Sequence, residues 1–88
     1  MRTDADKPAA TLRDHNIKAV IWRNQSDKGA FYSVEFIRSY KDGDDWKEAR
    51  SFSNGQLLQV GRLAGMAYDK IAELEAADRE AAAQKEAA

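Results

Sequence analysis

Residues 31–41 read FYSVEFIRSYK. Taken with a period of two, Tyr32, Val34, Phe36, Arg38 and Tyr40 share one face. Phe31, Ser33, Glu35, Ile37, Ser39 and Lys41 share the other. The run is long, rich in aromatic and β-branched side chains, and bounded by Gly29 and Gly43. Such a run predicts a central antiparallel strand. Seven of the eight aromatic residues lie between Trp22 and Phe52, so ring chemistry belongs to the predicted sheet.

Toward the N-terminus, Ile17–Gln25 is a second strand. Ile17, Ala19 and Ile21 alternate with Lys18, Val20 and Trp22. Ser26-Asp27-Lys28-Gly29 supplies the turn between the two strands, with Gly29 suited to a positive φ. Placing Gln25 opposite Ala30 sets Ile21 against Val34 and Ala19 against Phe36. The same register sets Trp22 against Ser33 and Val20 against Glu35. The first face is the more consistently apolar and is assigned to the core; a slip of one residue would invert it. Thr11–Arg13 predicts a short edge strand, and Asp14-His15-Asn16 a turn. Met1–Ala10 has no periodicity and is expected to be disordered.

Toward the C-terminus, Lys41-Asp42-Gly43-Asp44-Asp45 reads as a second hairpin turn and Trp46–Ser53 as the next strand. Alternation groups Trp46, Glu48, Arg50 and Phe52. Ser53 and Gln56 have capping-box spacing, and Phe52 and Leu57 occupy the staple positions, which places Phe52 on the core side. From Asn54 the period lengthens. Leu57, Val60, Ala64, Ala67, Ile71 and Leu74 form the predicted core stripe of an amphipathic helix. Gly61 and Gly65 make the helix slim, which predicts close approach of the sheet or of a second helix. Leu58, Leu63, Met66 and Tyr68 form a second apolar strip of the kind a dimer uses. Residues 76–88, rich in Ala and Glu, predict a helical extension or a frayed tail. The domain proper is residues 11–75, and the fold class is α+β: an antiparallel sheet of three to four strands, then one long C-terminal helix on one face.

The 88 residues carry a net charge of -1, no cysteine and one histidine. These exclude disulfides, thiol nucleophiles and a multi-histidine metal centre. No apolar run is long enough for a membrane helix, and no signal peptide opens the chain, so a cytoplasmic protein without membrane contact is expected. Residues 11–53 hold eight basic and seven acidic side chains, whereas residues 66–88 hold three and six. The sheet therefore has a slight basic excess. Asp42, Asp44 and Asp45 lack the ligand spacing of a calcium loop. There is no phosphate-binding glycine motif and no nucleophile elbow. Neither an enzyme nor a cofactor is predicted.

Rings and cations interleaved on strands are the remaining signal. Lys18, Trp22, Lys28, Phe31, Lys41 and Lys47 are assigned to the face away from the helix; Arg23, Arg38, Tyr40, Trp46 and Arg50 lie near strand ends or sheet margins. Rings stack on bases while Lys and Arg neutralise phosphates, which is what single-stranded nucleic acid requires. The competing reading is that the rings are core or dimer interface and the charges keep sheet edges soluble.

The order of four strands and one helix, with Ile37-Arg38-Ser39-Tyr40 on the long strand, resembles the positive-cofactor-four family. Those proteins are transcriptional coactivator-like and bind single-stranded DNA. Ile21-Trp22-Arg23-Asn24 and Tyr40–Lys47 are also similar to a pattern in a group of small bacterial proteins. The family resemblance implies a homodimer with helices at the interface and a DNA groove on the sheets, and it carries over to Arg38 and Tyr40. The acidic Asp42–Asp45 turn, where the family is basic, implies weaker affinity. The reading at this level is a non-enzymatic binder of single-stranded DNA or RNA. Lys18, Trp22, Phe31, Arg38, Tyr40, Lys41, Trp46, Lys47 and Arg50 are the contacts, and Leu58, Gly61, Gly65, Met66 and Tyr68 the dimer surface. The alternative is a protein-interaction or regulatory module.

Overall fold

The computed structural model describes residues 7–87. Four antiparallel strands form one sheet in the order β1-β2-β3-β4, and one C-terminal helix packs against it. The strands are β1 (Ala10–Asp14), β2 (Ile17–Ser26), β3 (Gly29–Asp42) and β4 (Asp45–Ala49). A 3₁₀ turn, Asn54–Gln56, leads into α1 (Leu57–Ala87). The expected disorder of Met1–Ala10 is corrected at its end, where Ala10 opens β1 and Ala9 N–H donates to Ile21 O at 2.7 Å; residues 1–6 lie outside the described residues.

All three hairpins close in two residues. Asp14 faces Ile17, Ser26 faces Gly29 and Asp42 faces Asp45. Backbone angles of φ 56° at His15, 114° at Gly29 and 64° at Gly43 turn the chain tightly enough for this. The β2–β3 register is the one read from the sequence: Gln25 faces Ala30, Trp22 faces Ser33, Ile21 faces Val34 and Ala19 faces Phe36.

The core lies between the sheet and α1. Ile17, Ala19 and Leu63 form its centre, and Leu12, Val34, Phe36, Phe52 and Val60 pack around it. Ile21 and Ala67 are buried too. Burying Leu63 alone contributes roughly 1.5–3 kcal/mol. Here the predicted helix phase is corrected. Leu63 belongs to the core rather than to the outer strip, while Leu57 and Ala64 are exposed. Rotating the helix to seat Leu63 instead of Ala64 buries more apolar surface, and the 3₁₀ turn breaks the α-helical phase before Leu57.

Ser53, in an extended conformation, precedes the 3₁₀ turn, and its N–H donates to Gln56 Oε1 at 2.9 Å. Phe52 reaches the core, as the staple pattern required. β4 ends at Ala49, however, so the expected strand through Ser53 is too long. The chain re-aims between Arg50 and Ser53, and Phe52 therefore does not share a face with Trp46.

Two features extend past the core. β2 stops pairing with β3 at Arg38, opposite Ile17, so residues 40–42 pair only with β4. Asn16 O accepts from Ser39 N–H at 2.8 Å, and Asn16 Nδ2 donates to Ser39 O at 3.1 Å. These bonds pin the base of a two-stranded arm, residues 40–47. α1 packs on β1, β2 and β3 and does not reach β4. At the other end, α1 continues beyond Leu74, and Asp78 is tied back to the sheet. Tyr32 Oη donates to Asp78 Oδ2 at 2.6 Å, and Arg23 Nε at 3.4 Å. The predicted departure of the tail into solvent thus begins one helical turn later than the last apolar stripe residue.

Candidate nucleic-acid interface

Side chains of paired residues share a face, so the register sorts the candidate residues. Lys18, Trp22, Phe31, Lys41 and Trp46 project from the face that α1 leaves uncovered. Arg50 lies just past β4, and its guanidinium reaches Glu35 on that same face, Nη2 to Oε2 3.8 Å. Lys47 is corrected. It faces Tyr40, so it lies on the helix side with Arg38 and Tyr40. Because α1 stops short of β4, these three occupy a separate patch on the other side of the arm. The nine predicted contacts therefore form two surfaces, not one groove wall.

The rings on the open face form two groups. Phe31 stands diagonally across from Trp22, a separation of roughly 7–8 Å between their backbones. Trp46 faces Lys41 at the opposite end of β3. The ten steps from Phe31 to Lys41 span about 34 Å of strand. Trp46 is 70% exposed and Phe31 50%, whereas Trp22 is half-buried. Two apolar side chains on this face, Val20 and Ile37, are buried although no helix covers them. They supply a local floor between the ring groups.

Carboxylates stand among the cations. Glu35 accepts from Trp22 Nε1 at 2.7 Å through one oxygen and meets Arg50 through the other. Lys18 Nζ lies 3.5 Å from Glu48 Oε2, across β3. On the other patch, Lys47 Nζ donates to Asp42 Oδ2 at 2.8 Å. Arg38 donates from Nε to Ser51 O at 3.1 Å, with its guanidinium 5.4 Å from the centre of the Tyr40 ring. Glu35 and Glu48 each hold a cation. Asn24, buried on the open face, donates to Ser33 Oγ at 3.1 Å and to neighbouring carbonyls.

Sequence reasoning did not anticipate the cluster at the Asp78 tie. Hydrogen bonding from Tyr32 holds the Asp78 carboxyl below its ordinary range, with Arg23 adding to the effect. Burial, then the bond to Asp78, raises the Tyr32 phenol. The hydrogen bond with Tyr32 raises Arg23. At neutral pH the cluster is an ionised carboxylate between a neutral phenol and a guanidinium.

On α1, successive residues turn by about 100°, so Leu58, Gly61, Gly65 and Tyr68 fall within an arc of about 80°. That arc points away from the sheet. Leu58 is 84% and Tyr68 77% exposed. A Cβ added at Gly61 or Gly65 would meet nothing within 4 Å. The sheet is thus not what the glycines approach. Met66 lies outside the arc and flanks the core edge.

Among the described residues no helix is long and apolar enough to cross a membrane, and no group of three or more His, Asp or Glu side chains is placed to hold a metal ion. No protein-family model, no curated protein and no solved structure matches the chain.

Proposed function

We propose that this chain is a non-enzymatic, cytoplasmic protein that binds single-stranded DNA or RNA with little sequence preference. One observation carries the reading: Trp22, Phe31 and Trp46 stand with Lys18 and Lys41 on the sheet face the helix leaves open. Exposed rings on a strand surface stack on any base, at roughly 1–3 kcal/mol each. Lys41 steers the phosphates. Arg38, Tyr40 and Lys47 offer a second patch around the arm, which a strand longer than the open face can reach. We further propose a homodimer joined through the outward arc of α1, where an exposed Leu58 and Tyr68 flank two unobstructed glycines.

Fluorescence anisotropy with a labelled oligothymidine tests the reading. Trp46→Ala and Phe31→Ala are expected to weaken binding by about 5- to 150-fold each. Lys41→Ala is expected to flatten the dependence of log K on log salt by about 0.7. Equal affinity of all three variants and the parent would remove these side chains from the site.

A second reading, a protein-interaction module, has its own support. The arc on α1 is apolar, exposed and unpartnered, and several sheet cations are already paired within the chain. One stoichiometric protein partner without oligonucleotide binding would select it.

A further inference from the structure

Two cations of the open face are paired with carboxylates of the same face. Lys18 Nζ is 3.5 Å from Glu48 Oε2, and Arg50 Nη2 is 3.8 Å from Glu35 Oε2. The two carboxylates stand in the stretch between the two ring groups, where the phosphates of a strand crossing from Phe31 to Trp46 would pass. A cation whose charge is cancelled by its own carboxylate neutralises little of a phosphate's charge. Each such pair lowers the number of phosphates the face can neutralise, and with it the electrostatic share of affinity.

We infer that Glu35 and Glu48 determine the ligand preference of this face, withholding Lys18 and Arg50 from phosphates so that binding depends on ring stacking. The inference rests on the single-strand reading given above. Its consequence concerns ligand class. A flexible single strand offers unstacked bases to Trp22, Phe31 and Trp46. A duplex keeps its bases stacked inside and offers this face chiefly phosphates, to which the paired cations offer little net charge. The same Glu35 also accepts from the Trp22 indole at 2.7 Å, so it positions one of the rings while it holds Arg50.

Glutamine preserves these shapes and removes the charges. Glu35→Gln keeps an oxygen for the Trp22 indole and frees Arg50; Glu48→Gln frees Lys18. The parent, each single variant and the double variant are titrated by anisotropy with oligothymidine and with a duplex of equal length. For the double variant, the salt dependence on oligothymidine is expected to steepen by about 1.4, from two freed cations at about 0.7 each. That amounts to about a sevenfold greater loss of affinity between about 50 and about 200 mM salt. The preference for single strand over duplex is expected to narrow. In a Lys18→Ala background, Glu48→Gln frees no cation and is expected to leave the salt slope unchanged. Unchanged slopes and an unchanged preference, in variants that bind as the parent does, overturn the inference and leave the single-strand reading standing. Absence of binding by parent and variants alike overturns both.

Discussion

Asp78→Asn is expected to loosen the last turns of the helix while leaving the core intact. Asp78 carries the described polar ties between this part of α1 and the sheet: a 2.6 Å bond from Tyr32 Oη and a 3.4 Å contact from Arg23 Nε. A hydrogen bond to a charged group contributes roughly 1.5–3 kcal/mol in a buried setting. The Asp78 and Arg23 side chains are each 37% exposed, so solvent screening reduces the figure to about 1 kcal/mol. For a domain of this size that is a fall in Tm of about 4–8 °C. Amide hydrogen exchange read by mass spectrometry locates the effect. Protection is expected to fall beyond Leu74 and to hold around Leu63. Tyr32→Phe is expected to give a similar loss, and the double variant little more than either. The pH dependence follows from the lowered carboxyl. Its contribution is complete above the unfolded-state pKa of an aspartate and is lost as pH falls through the lower folded value. Tyr32, raised in the folded state, contributes fully below the unfolded phenol pKa and loses its part as pH rises through the folded one. The parent's advantage over Asp78→Asn should therefore be full near neutrality and vanish in acid. Equal denaturation midpoints and equal exchange at neutral pH would refute the tie.

Leu63→Ala is expected to cost about 2–5 kcal/mol, enough to unfold much of so small a domain, as read by urea denaturation. Gly61→Ala and Gly65→Ala meet open space and are expected to raise helix stability by about 1 kcal/mol each. If the proposed dimer packs on these glycines, the same variants shift sedimentation velocity toward the monomer. A dimer that withstands Gly61→Leu places its interface elsewhere. Gly29→Ala, at φ 114°, is expected to destabilise the β2–β3 hairpin by roughly 1 kcal/mol, measured by thermal denaturation.

The sheet was legible because its residues obey one period. Val34 and Phe36 against Ile21 and Ala19 leave a single register that buries both sets, and the turn at Lys28-Gly29 agrees with it. The helix was legible in existence and span but misread in phase. Spacing alone makes Leu57 its first core residue, whereas the 3₁₀ turn before it resets the rotation and Leu63 takes the central place. Period-two reading failed between Trp46 and Phe52 because the strand ends at Ala49, and an irregular segment does not preserve facing. The Asp78 tie had a signal that hydrophobicity alone hides. Asp78 follows Ile71 and Leu74 on the core stripe, as Tyr32 and Arg23 follow Val34 and Ile21 on the strands. Three apolar rows end in polar residues at the same end of the molecule. Of the candidate interface, the open-face residues of β2 and β3 were readable. The pairing of Lys18 with Glu48 was not, because it spans an intervening strand.

The arm of residues 40–47 separates the two tryptophans into distinct reporters. Trp46 sits on a ribbon with one neighbouring strand, where water and a quencher such as acrylamide reach it freely. Trp22 sits in the middle of the sheet with its indole N–H committed to Glu35. A two-stranded ribbon holds together weakly without the layer behind it. Fluorescence of the parent is therefore a composite: the Trp22→Phe variant watches the arm open, and the Trp46→Phe variant watches the sheet dissolve.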